Sequence, residues 1–109
     1  MLEGTVIENS LDNSGILEDF EVTKSWREGD WKLHRVRVTR EQAQQVSEHL
    51  VGGPWYVHFW KENKNDVLVI FKNKEFWIEF DDQKTWVEAI KYGQSMGIPK
   101  EQLDFLIDQ

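Results

Sequence analysis

Residues 55–80, WYVHFWKENKNDVLVIFKNKEFWIEF, set apolar side chains at nearly every second position, broken twice by short polar runs. A period of two is the mark of β-strands, so this stretch predicts three consecutive strands joined by tight turns. A two-residue turn at Asn73-Lys74 would pair Phe71 with Phe76, Val69 with Ile78 and Val67 with Phe80, six side chains on one core face. The opposite face of that hairpin carries Leu68, Ile70 and Trp77 beside Glu75 and Glu79. The first strand, residues 55–60, is apolar on both sides. A loop of three or five residues through Glu62-Asn63-Lys64-Asn65 sets Phe59 with Val67, whereas a four-residue loop sets Trp60 there. Tyr56, His58 and Trp60 each carry a polar atom that needs a partner or water, which favours Trp55, Val57 and Phe59 inward.

Upstream, Phe20, Val22, Lys24 and Trp26 alternate with Glu21, Thr23 and Ser25, as in a half-buried strand. Arg27-Glu28-Gly29-Asp30 is turn chemistry, and residues 31–39 form the return strand, with Trp26 and Trp31 as a cross-strand pair. The return strand changes parity: Trp31 and Leu33 lie on one side, Val36 and Val38 on the other. A β-bulge near His34-Arg35 would restore one apolar face. Thr39-Arg40-Glu41-Gln42 has the form of a capping box, and Ala43, Val46 and Leu50 give the following helix its apolar stripe until Gly52-Gly53-Pro54 ends it. Asp81-Asp82 opens a second helix with Trp86, Ala89 and Ile90 on one side. Gly97 closes it, Pro99 starts a short turn, and Phe105, Leu106 and Ile107 form an apolar end that docks on the domain or on another copy.

These elements predict one α+β domain over residues 1–109, with a mostly antiparallel sheet of about five strands in the order ββαβββα. Both helices are expected on one face. Residues 1–15 read as a loop or a short edge strand around Thr5-Val6-Ile7.

Charge adds a second pattern. The net charge is −7, which opposes phosphate backbones and argues against nucleic acid as a partner, despite aromatic residues on a sheet. Residues 1–23 are acidic and free of Lys and Arg, while residues 24–40 concentrate Lys24, Arg27, Lys32, Arg35, Arg37 and Arg40. If these segments pair as strands, cross-strand attraction of about 0.2–1 kcal/mol per pair sets their register. With no cysteine, disulfides and thiolate metal sites are excluded and a reducing compartment is the simpler reading. No signal peptide is visible and no apolar run approaches the roughly 20 residues of a membrane span, so the expectation is a cytoplasmic protein.

The stretches GPWYVHFWK, VLVIFKNKEFW and TWVEAIKYGQSMGIPKEQLDF together resemble a group of small uncharacterised prokaryotic proteins. That resemblance spans about half of the chain and implies a compact domain without implying an activity.

Candidate chemistry is sparse. No glycine-rich loop with lysine cradles a phosphate, and His34, His49 and His58 lie on three separate elements, so no metal site and no cofactor is expected. Ser47 and Ser95 sit in helices without a nucleophile elbow. Asp81 and Asp82 are better helix caps than paired catalytic carboxylates. No catalytic residue is assigned. The surface singled out for binding is Tyr56, His58, Trp60, Trp77 and Glu79, as an uncovered aromatic face of the sheet. The favoured function is a small non-enzymatic interaction module using that face or a sheet edge, with a homodimer or another protein as partner. The alternative is a small-molecule-binding protein or minor enzyme with a pocket around His58, Tyr56 and Glu79, His58 acting as base. If the N-terminal strands cover the face instead, these aromatics are core.

Overall fold

The computed structural model describes residues 1–105 of the chain. Leu106 and Ile107, read above as part of an apolar end, lie outside the described residues. Six strands form one antiparallel sheet: β1 (Leu2–Ile7), β2 (Glu21–Glu28), β3 (Trp31–Val38), β4 (Val57–Trp60), β5 (Asp66–Phe71) and β6 (Lys74–Glu79). Their spatial order is β2-β3-β1-β4-β5-β6, and helices α1 (Arg40–His49) and α2 (Val87–Ser95) complete the domain.

Two expectations about architecture are corrected. The N-terminal segment is neither loop nor edge: β1 lies between β3 and β4 and joins the two hairpins into one sheet. The element order is therefore βββαβββα with six strands. Gly4 makes the junction possible, because a Cβ there would sit 2.6 Å from both the His58 carbonyl oxygen and the Phe59 ring. A glycine inside a strand often marks such a close backbone approach.

The helices do not share a face. One layer, containing α1, packs Ala43, Val46 and Leu50 with Leu2, Val6, Val36, Val38, Val57, Phe59, Leu68 and Ile70. The other, containing α2, packs Trp86 and Ala89 with Trp60, Val67, Val69, Phe71, Ile78 and Phe105. The reason is in the central strands. β4 and β5 are apolar on both sides, and a strand apolar on both sides must be covered on both sides.

The central register follows from the loops. Trp60 pairs with Val67 and Phe59 with Leu68, so the four-residue alternative for the β4–β5 loop is the one formed. Lys61 and Asp66 close it through a backbone hydrogen bond of 2.9 Å, while Asn63 Oδ1 accepts from the amides of Asn65 and Asp66. Val57 and Phe59 consequently face α1, and Tyr56, His58 and Trp60 face the other layer. In the β5–β6 hairpin the turn residues are Lys72 and Asn73, not Asn73 and Lys74, with Phe71 opposite Lys74 and Val69 opposite Phe76. Moving the turn by one residue shifts partners by two, so each side chain keeps its predicted face. The turn is held by α1: Ser47 Oγ donates to the Phe71 carbonyl at 2.8 Å, and the Asn73 amide donates to the Ser47 carbonyl at 3.1 Å.

β3 runs without a break against β1, so its parity change is real and Leu33 is buried on the side opposite Val36. The bulge lies in the partner strand, between Val22 and Lys24. It turns β2 over, leaving Val22 beside Val36 on the α1 side and Trp26 beside Leu33 on the other. Trp31 stands opposite Glu28 rather than Trp26 and meets Trp55 edge-on at 5.6 Å. The expected charge complementarity is present as Glu3–Arg35 at 3.5 Å and Glu21–Arg37 at 3.6 Å.

The capping box forms as predicted, with the Gln42 amide donating to Thr39 Oγ1 and the Thr39 amide donating to Gln42 Oε1. Asp82 caps a 3-10 turn, Gln83–Trp86, which leads into α2. Gly97, at φ +90°, ends α2, as the Ile98 amide returns to the Gly93 carbonyl.

Candidate functional site

The five residues selected from sequence separate into two groups on opposite faces. Tyr56, His58 and Trp60 share the α2 side and stack in sequence, with His58 6.2 Å from the Tyr56 ring and 5.8 Å from Trp60. Trp77 and Glu79 lie on the α1 side, opposite Leu68 and Asp66 in the register. A pocket combining His58, Tyr56 and Glu79 is therefore not formed.

The first group is covered by the chain's own C-terminal segment. Phe105 is fully buried and meets Tyr56 at 5.6 Å, His58 at 6.1 Å and Trp86 at 5.4 Å. The Tyr56 hydroxyl donates to the Gln102 carbonyl. Burial, with the nearby Asp104 charge adding to it, pushes the Tyr56 phenol up to about 12. A phenol that is so hard to ionise is a hydrogen-bond donor and not a general base near neutral pH. Trp60 is buried beneath the Arg35 guanidinium, 5.2 Å from its ring, and Arg35 Nε donates to Thr5 Oγ1 at 3.0 Å. The sheet face expected to bind a partner is thus largely core, stitched by β1 and by residues after α2.

Trp77 has the opposite environment. It is 47% exposed on the edge strand β6 and lies at the side of a cleft of about 670 Å³. Met1 and Leu2 before and in β1, Thr39 and Arg40 at the start of α1, and Lys61, Glu62 and Asn63 after β4 complete the wall. Lys61 Nζ sits 5.0 Å from the Trp77 ring centroid. Arg40 is held by a two-pronged ion pair with Glu75 on β6. A smaller recess beside the cleft shares Lys61 and Glu62 and adds Glu3, Arg37 and Lys64. The cleft wall itself carries Arg40 and Lys61 against Glu62, with Arg40 balanced by Glu75 and Lys61 Nζ 4.0 Å from Asp66 Oδ2. Glu3 and Arg37 lie with Trp60 on the opposite side of the sheet, where Arg37 pairs with Glu21. The cleft therefore sets an exposed aromatic ring beside the Lys61 ammonium, with no excess of positive charge around it. Such a site can stack a flat apolar group against the ring. The loop that supplies Lys61 and the helix that supplies Arg40 are distant in sequence, so no local pattern announced the cleft.

A second cluster also escaped the sequence reading. His34, buried on β3, contacts Ser25 Oγ through Nδ1 at 2.7 Å and Glu8 Oε1 through Nε2 at 3.1 Å. Glu8 favours the proton on Nε2, which leaves Nδ1 to accept from the serine. The order hydroxyl–imidazole–carboxylate is that of an activated nucleophile. None of the clefts described above is lined by it, and its position ties β2, β3 and the end of β1 together. We read it as a clamp. Among the described residues no group of three or more His, Cys, Asp or Glu side chains could hold a metal ion, and no helix is long and apolar enough to cross a membrane. Compared with models of protein families, with curated proteins and with solved structures, the chain matches none.

Proposed function

We infer that the chain is a small non-enzymatic binding module that captures a protein segment through an aromatic or apolar side chain. The cysteine-free composition fits work in the cytoplasm. The observation that carries the reading is Trp77: a large ring, 47% exposed, at the side of a cleft of about 670 Å³. Exposed tryptophan in a recess is the residue type that most often anchors interfaces.

Selection from a random peptide library on the immobilised domain tests it. The expected peptides share an aromatic or large apolar residue, and they lose binding to Trp77→Ala while that variant keeps the wild-type melting temperature. Peptides with no aromatic or apolar residue in common, or peptides indifferent to Trp77→Ala, would count against the reading.

A further inference from the structure

The sheet has two edges, and they differ. The end of β6 is closed: Thr85 Oγ1 accepts from the Glu79 amide at 2.8 Å, and Trp86 Nε1 donates to the Glu79 carbonyl at 2.8 Å. β2, the other edge, is paired only with β3. The β2–β3 turn has two residues, Gly29 at φ +61° and Asp30, with Glu28 opposite Trp31. In such a hairpin the closing pair exchanges its hydrogen bonds, and bonded and non-bonded pairs then alternate. Glu28 and Trp26 therefore direct their backbone groups at β3, while Ser25 and Arg27 direct theirs outward. The bulge at Thr23 ends the regular stretch, which leaves residues 24–28, Lys-Ser-Trp-Arg-Glu, as an open template.

That template complements itself. Consider a second copy running antiparallel with Trp26 opposite the partner's Trp26. Ser25 then faces the partner's Arg27, so the outward backbone groups of both chains meet. Lys24 faces the partner's Glu28, and by symmetry the same ion pair forms at the other end. Sliding the copy by two residues in one direction brings Arg27 against the partner's Arg27. Sliding it in the other sets Lys24 against the partner's Trp26 and removes both ion pairs. One register therefore satisfies charge and backbone together. Within the chain, among the described residues, neither Lys24 nor Glu28 forms an ion pair. Lys24 Nζ lies 5.1 Å over the Trp26 ring, and Trp26 Nε1 donates to Glu28 Oε1 at 3.3 Å, so all three side chains stand on one side of the strand.

We propose that β2 pairs with β2 of a second copy in this register, joining two six-stranded sheets into one across a two-fold axis. Charged residues and a bulge usually guard an edge strand against pairing. Here the bulge limits the length of the contact and the charges select the partner. The contact lies at the edge opposite β6 and Trp77, so it is independent of peptide capture.

Sedimentation velocity on the full chain at increasing concentration, with four proteins, tests the proposal. Wild type should show a monomer–dimer equilibrium. Lys24→Glu and Glu28→Lys each place like charges at both ends of the contact and should weaken self-association roughly tenfold or more. The double variant Lys24→Glu/Glu28→Lys should regain the wild-type dimer. An equimolar mixture of the two single variants should form a mixed dimer, because each then meets its opposite charge. Both substituted positions are exposed, and circular dichroism checks that the fold is kept. A wild type that stays monomeric throughout overturns the proposal. So does a dimer indifferent to the single substitutions, or a failure of both the double variant and the mixture to restore it.

Discussion

Gly4→Ala separates the effect of local propensity from that of tertiary contact, because the two predict opposite signs. In an ordinary strand interior, replacing glycine by alanine stabilises by about 0.5–1 kcal/mol. At Gly4 the new methyl would lie 2.6 Å from the His58 carbonyl oxygen and 2.6 Å from Phe59 Cδ1. The first is backbone and cannot rotate away; the second belongs to a fully buried ring. Relief requires β1 and β4 to separate, and these strands are paired only through Glu3–Trp60 and Gly4–Phe59. Overpacking of this kind costs about 1–3 kcal/mol and sometimes more, and the involvement of backbone places Gly4→Ala at about 3 kcal/mol. With a urea slope of about 1–3 kcal/mol per molar for a domain this size, the midpoint should fall by about 1–3 M. Tryptophan fluorescence follows the transition. Gly52→Ala is the control, since an added Cβ there meets nothing within 4 Å and needs no unusual backbone angle; it should stay within about 0.5 kcal/mol of wild type. A Gly4→Ala protein as stable as that control would refute the placement of β1 against β4.

Other outcomes follow from the same contacts. Tyr56→Phe should loosen the segment after α2, seen as faster amide exchange around Gln102. It should also flatten a pH effect: the folded phenol ionises near 12 and the unfolded one near the usual 10, so the wild type's stabilisation is complete below about pH 10 and is lost as pH rises towards 12. The ring is only partly buried, so the loss is at most about 2 kcal/mol, measured by urea titration at each pH. Phe105→Ala empties a fully buried site between Tyr56, His58 and Trp86 and should cost about 3–5 kcal/mol in the same assay. Ser47→Ala removes the donor to the Phe71 carbonyl and should cost about 1–3 kcal/mol, with faster exchange at the Asn73 amide.

The sequence by itself determined what depends on neighbours along the chain. Period-two alternation located β2 to β6, the Thr39–Gln42 spacing placed the start of α1, and Gly29, Gly52-Gly53 and Gly97 marked the ends. Even a wrong turn at Asn73-Lys74 left every side chain of that hairpin on its correct face, since a two-residue slip preserves parity. Four things were decided only by tertiary structure. Gly4 in LEGTVI allows β1 into the centre of the sheet through a contact with β4, more than fifty positions away. The two-sided apolar character of β4 and β5 was legible, but which side each helix takes depends on a loop whose length parity could be read either way. The bulge belongs to β2 because β3 is pinned on its other side by β1, a neighbour that sequence pattern could not supply. The candidate site moved for the same reason: Tyr56 and His58 were half-buried against Phe105 and Trp60 became core, and Trp77, on the opposite face, was left open beside Arg40 of α1 and Lys61 of the β4–β5 loop. Local pattern decides which residues form a strand. What a face of that strand meets is decided by segments that approach it from elsewhere in the chain.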